Sequence, residues 1–183
     1  MPEPQGYGAW LYLSRKRLPW SKGRFLAESA LEDGLARQGF EIVYPETLTL
    51  ADQIARYRGA ADILIAQGSA VHGLELLPCL AGRVAVIQRF RTEAGKVSLQ
   101  GRVADYALLD AIDWNDGFLK RNRQVSVLGP NRLAEALKTW IDQRLIPINF
   151  TDFFAREFDD FIQWFQFDID EALDSLIYTE SKA

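Results

Sequence analysis

The chain has 183 residues, of which 48 % are apolar and 25 % charged, and its net charge is −4. That profile predicts one ordinary globular domain with room for an appendage, and it excludes disorder, collagen-like fibre and a disulfide scaffold. A body of this size buries about two thirds of its unfolded surface, so it folds without a metal or a cross-link.

The charge is unevenly spread. Residues 150–183 hold nine acidic and two basic residues, a local charge of −7, and nine of the 22 aromatics. The first 149 residues therefore carry +3. So mild a positive charge is not the basic face of a nucleic-acid binder. Cys79 is the one cysteine, so no internal disulfide can form and a reducing compartment is expected. No stretch reaches the roughly 18 apolar residues of a membrane span. The opening Met-Pro-Glu-Pro-Gln-Gly lacks the basic-then-apolar order of a signal peptide. These features together predict a cytoplasmic protein.

Short apolar runs alternate with helical patterns up to residue 145. Residues 9–14, with Trp10, Leu11, Tyr12 and Leu13 nearly unbroken, read as a strand covered on both faces. Phe25, Leu26, Ala30, Leu31 and Leu35 have helical spacing over 25–38, and Gly39 is a C′ stop. A second strand is predicted at 41–44. A helix over 50–58 follows, with Thr49 as N-cap. The third strand is 62–66, after which Gly68 and Ser69 open a short helix that Pro78 ends. Residues 83–88 and 106–109 are strands four and five, separated by a polar loop, and 125–128 is strand six. Pro130 stands in the first turn of a helix over 130–144. The alternation predicts an α/β fold with a Rossmann-like parallel sheet and helices on both faces.

Residues 1–148 form this domain, and 149–183 read as a helical tail. Phe150, Phe154, Phe158, Phe161 and Phe165 recur at intervals of four, four, three and four, one stripe of a helix, with Asp152, Asp159, Asp160 and Gln163 off it. Such a helix either docks on its own domain or reaches a second domain or subunit.

Ligands of open parallel sheets bind at the carboxyl ends of the strands. Four segments reach that edge. Ser14, Arg15, Lys16 and Arg17 follow the first strand, with Lys22 and Arg24 close behind. Five cations in ten positions can clamp a diphosphate, or simply form a solvated loop. Gly68, Ser69, Ala70, Val71 and His72 follow the third strand. Glycine there lets an anion approach the backbone. His72, the one histidine, can hydrogen-bond a phosphate or a sugar hydroxyl, or be structural. Pro45 and Glu46 follow the second strand; a carboxylate there accepts bonds from sugar hydroxyls or supports the next helix. Arg89 and Arg91 follow the fourth strand and give the weakest signal. One His and one Cys cannot make a zinc site, so no metal is expected.

Absent motifs narrow the class. No Gly-x-Gly-x-x-Gly follows the first strand, and no Walker loop or Gly-x-Ser-x-Gly elbow occurs. What remains is a phosphate-binding platform without the usual nucleotide signatures.

The order of segments resembles glycosyltransferase family 61. The resemblance rests on Tyr12-Leu13-Ser14-Arg15, then Glu28, then Gly39 to Glu46, then Gly68 to His72 and Leu77-Pro78, and spans roughly residues 10–90. Many relatives have His-Gly-Ala-Gly where this chain has Gln67-Gly68-Ser69-Ala70, and Asn where it has Gly73. The resemblance implies an inverting transferase using a nucleotide sugar, of the capsular-polysaccharide or surface-glycan type. It also implies the C-terminal, donor-binding half of a GT-B arrangement. Carried over by position, Ser14, Arg15, Lys16, Gly68, Ser69 and His72 bind the donor diphosphate, and Glu46 faces the nucleoside or sugar. The implied partners are the nucleotide sugar, a glycan acceptor, and a second domain or another copy against the Phe-rich tail. No cofactor is implied, and no catalytic base can be named. The alternative is a non-catalytic interaction or nucleotide-sensing module derived from such a domain.

Overall fold

In the computed structural model, residues 8–90, 96–115, 125–140 and 150–180 are described. The strands at the centre are Ala9–Leu13 (β1), Phe40–Val43 (β3), Ala60–Ala66 (β4), Leu80–Ile87 (β5) and Val103–Leu109 (β6). They form one parallel sheet in the order β3-β1-β4-β5-β6. Alternation of side chains explains the layers around it. Tyr12, Leu64, Ala66, Ala85 and Ile87 point to one face, packing with Glu28–Arg37 (α1) and Pro130–Trp140 (α5). Leu11, Leu13, Ile63, Ile65, Val84 and Val86 point to the other. That face is covered by Leu50–Arg58 (α2), Ala70–Leu74 (α3) and Lys96–Leu99 (α4). Because both faces of the sheet are buried at its centre, the inner strands β1, β4 and β5 read as apolar runs rather than as alternating ones.

Several helix boundaries agree with local chemistry. Thr49 caps α2, its hydroxyl accepting from the Asp52 amide at 3.2 Å. Gly39, just past α1, sits at φ +91°, a conformation that favours glycine. The α5 helix begins at Pro130 and its described part ends at Trp140; the expected residues 141–144 lie outside the described residues.

Two departures matter for the site. The helix expected over 25–38 begins only at Glu28, because Phe25 and Leu26 (β2) pair with a strand instead. The partner is Ser126–Leu128 (β8), expected as a sixth strand of the main sheet. It stands apart in a three-stranded sheet, parallel to β2 and antiparallel to Ile112–Asn115 (β7), which periodicity did not reveal. Helical spacing at Phe25 and Leu26 is equally served by a two-residue strand whose side chains are both buried, so periodicity cannot separate the two.

The tail is the helix Phe150–Glu180 (α6). It docks through Phe153 and Trp164, which are buried against the body, and Asp160, only 4 % exposed. The predicted Phe stripe is not the docked face: Phe154, Phe158, Phe161 and Phe165 are exposed, and the side chain of Phe150 lies outside the description. No helix among the described residues is long and apolar enough to cross a membrane.

Leu64 lies in the middle of β4 with no exposed surface. Leu64→Ala should cost about 2–5 kcal/mol in urea unfolding. Leu50→Ala, at a residue 55 % exposed, should cost no more than about 0.5 kcal/mol.

Candidate functional site

The main sheet runs to β3 on one side of β1 and to β4 on the other, so its topological switch point lies between β1 and β4. The chain leaving β1 carries Ser14 and Arg15; the chain leaving β4 carries Gln67, Gly68 and Ser69. Between them opens a cleft of about 460 Å³, whose lining includes Arg15, Lys22, Gly68, Ser69, His72 and Arg89. A neighbouring cleft of about 480 Å³ shares Arg15, Ser69 and His72 and adds Ser14, Glu46 and Gln53. Both volumes fall within the range of small-ligand sites.

Arg15 is the side chain around which the cleft is built. It is 7 % exposed, and carbonyl oxygens hold its guanidinium: Nη2 donates to Lys22 O at 2.6 Å and Gly23 O at 3.1 Å, and Nε to Gly23 O at 3.3 Å. The remaining nitrogen, Nη1, lies against Gly68, where a Cβ would overlap it. Gly68 thus does something that sequence does not state: it leaves room for the Arg15 guanidinium as well as opening the backbone. Arg89 converges on the same carbonyls, its Nη1 donating to Gly23 O at 2.8 Å and Lys22 O at 3.1 Å. Burial lowers both guanidinium pKa values. For Arg89 the adjacent Arg15 charge adds to burial and takes the value to about 10. Two like charges held this close attract an anion into the cleft between them.

Glu28 fixes the exit of β1. Its carboxylate is fully buried, and Oε1 accepts from the Arg15 amide at 2.8 Å and Tyr12 OH at 2.8 Å, with Ser14 Oγ 3.1 Å away. Its Oε2 has no hydrogen-bond partner among the described residues. Burial raises its pKa, against the lowering effect of those bonds. The β5 side is tied similarly, with Gln67 Oε1 accepting from the Arg89 amide at 2.6 Å and the Phe90 amide at 3.0 Å. The small sheet contributes too: Ser126 Oγ donates to Arg89 O at 2.9 Å, and the Ser126 amide to Arg24 O at 3.1 Å.

The structure brings together six of the seven residues expected to bind the donor. Ser14, Arg15, Gly68, Ser69, His72 and Glu46 all line one cleft or both. Ser14 does so with its hydroxyl donated to Glu32 Oε1 at 2.6 Å. His72 is exposed, its Nδ1 3.1 Å from Glu75 Oε1, and Ser98 Oγ donates to the same oxygen at 2.6 Å. Glu46 lies in the turn Pro45–Thr47, and its charge acts together with burial in raising Tyr57 to about 12. Lys16 is the exception. Its ammonium turns away to Asp160 of α6, at 2.5 Å. Sequence reasoning gave Arg89 little weight and did not identify the anchoring role of Glu28. A buried acid at the first position of a helix has the same spelling as an exposed one. Among the described residues, no cluster of His, Cys, Asp or Glu is arranged to hold a metal ion.

Residues 7–78 match the family model for Glycosyltransferase 61. This stretch is similar to glycosyltransferase family 61. It holds β1, β2, α1, β3, α2, β4 and α3, and with them all seven predicted donor residues, whereas Arg89 lies beyond it. A search of curated proteins finds no match to the chain.

Glu28 yields a test with a definite sign. A raised acid binds its proton more readily in the folded state, so its contribution to stability is full below the ordinary value of 4.5 and is lost as pH rises through the folded value. The stability of the parent relative to Glu28→Gln should therefore fall as the pH is raised above 4.5. Urea unfolding of both proteins across that range measures it; a constant difference would contradict the burial of a charged Glu28.

Proposed function

We propose that this chain is a nucleotide-sugar-binding domain of a glycosyltransferase of family 61, acting in surface-polysaccharide or capsule biosynthesis. The diphosphate of the donor sits in the cleft against Arg15, Arg89, Gly68, Ser69 and His72. Its nucleoside or sugar hydroxyls face Glu46 in the adjoining cleft. One observation carries this reading: the buried Arg15 guanidinium seated on Gly68 at the switch point of the sheet. The family match over the same stretch supports it.

In this reading, catalysis is electrostatic. As the bond from the sugar anomeric carbon to the diphosphate oxygen breaks, negative charge grows on the leaving diphosphate. Guanidiniums already fixed by backbone carbonyls stabilise that charge without reorganising, and do so without a divalent metal. An acceptor hydroxyl attacks from the opposite side and inverts the anomeric centre. The base that takes its proton comes from a complementary acceptor-binding half.

A second reading, an interaction module, has its own observation. Phe154, Phe158, Phe161, Ile162 and Phe165 leave an apolar strip along α6, each between 39 % and 65 % exposed. Contiguous exposed apolar surface of this kind marks a docking face for a second domain or another copy.

Calorimetric titration with UDP and UDP-sugars tests the first reading. Binding should weaken at least about tenfold in Arg15→Ala, the scale of a lost charge-assisted contact. Gly68→Ala should weaken it similarly by displacing the guanidinium. No binding at millimolar ligand, or equal binding by Arg15→Ala, overturns the assignment. Sedimentation of the double variant Phe154→Ser/Phe158→Ser tests the second reading: a parent dimer that becomes monomeric supports the tail as an interface between copies.

A further inference from the structure

The helix α1 begins without a cap of its own. Its N-cap residue is Ala27, which offers no side-chain acceptor and is the one non-glycine residue with positive φ among those described, at φ 55° and ψ 19°. A left-handed alanine is strained and persists only where its surroundings hold it. What holds it comes from far along the chain. Asp160 of α6, 4 % exposed, accepts the Ala27 amide on Oδ2 at 2.9 Å and the Lys16 ammonium on Oδ1 at 2.5 Å. One carboxylate thus joins the two ends of the segment 16–27. It also places negative charge at the N-terminus of a ten-residue helix.

That segment supplies the site. The carbonyls of Lys22 and Gly23, which hold both Arg15 and Arg89, lie within it. Glu28, which fixes the Arg15 amide, follows directly after Ala27. We propose that Asp160 is a positioning residue for the anion site: by clasping Lys16 and Ala27 it closes the segment 16–27 and sets the carbonyls that aim Arg15 and Arg89. The role of Lys16 is then to close the loop, not to touch the ligand. Docking of α6 and occupancy of the cleft become linked equilibria.

The ligand-binding arm of this inference rests on the donor-site reading, so the test has a second arm free of ligand. In the first arm, UDP is titrated into the parent, Asp160→Ala, Lys16→Met and the double variant. Asp160→Ala should weaken UDP about tenfold, Lys16→Met comparably, and the double variant no more than the worse single, because both break one clasp. Were Lys16 a direct ligand to the diphosphate, freeing it by Asp160→Ala would leave binding intact or tighten it. Binding by Asp160→Ala within about twofold of the parent therefore overturns the proposal. Val84→Ala, a core change remote from the cleft, controls for lost stability and should leave UDP affinity unchanged; a matching drop there overturns a specific role for Asp160. In the second arm, amide hydrogen exchange without ligand should quicken at Arg15 and Ala27 in Asp160→Ala but not in Val84→Ala. Unchanged exchange overturns the clasp whatever UDP does. A parent that takes no UDP overturns the donor-site reading alone, and the exchange arm then decides the clasp.

Discussion

The site depends on keeping the Arg15 guanidinium, a permanent charge, nearly out of water at the end of a strand. A buried charge is costly unless polar atoms surround it, and here those atoms are the carbonyls of Lys22 and Gly23. Each of the other arrangements near the cleft serves that placement. Gly68 lacks the Cβ that would occupy the seat. Glu28 pins the Arg15 amide, and the small sheet anchors the segment from which the carbonyls project.

Electrostatic balance around this arginine is indirect. Glu28 and Glu46 favour its charge from a distance, while burial opposes it. Its hydrogen bonds go to dipoles, which offset desolvation without neutralising the positive field. A carboxylate in ion-pair contact would stabilise the guanidinium better and would also cancel its pull on an anion. Neutral carbonyl partners leave the charge available to the cleft, at the cost of stability, as functional sites commonly do.

Legibility from sequence followed the range of the interactions. The five strands of the main sheet, the cap at Thr49 and the glycine stop at Gly39 were readable because each depends on residues within a few positions. The edge holding Ser14, Arg15, Glu46, Gly68, Ser69 and His72 was readable as well, because parallel strands place their carboxyl ends together. Phe25 and Leu26 misled, since two apolar residues before a helix fit its pattern as well as they fit a short strand. The partner of Lys16 was unreadable for a related reason: its position beside Arg15 said nothing about where a long, flexible side chain finds its counter-charge. The Phe stripe of α6 pointed to one face, and the helix docks by another.

The sequence by itself determined the α/β class, the parallel order of apolar runs, and which loops crowd one edge of the sheet, because hydrophobic period and turn chemistry act locally. Tertiary structure decided which of those loop residues line the clefts and which pair elsewhere. Arg89 meets Arg15 at the Gly23 carbonyl, 66 residues away from it, and Asp160 reaches Lys16 and Ala27 from a helix 144 and 133 residues away. Contacts between residues so distant in sequence leave no spacing to read, since they arise only once the backbone has folded and the charges must find partners in what space remains. The acidic excess of the tail illustrates the division: composition revealed it, but only packing brought Asp160 to Lys16 and Ala27.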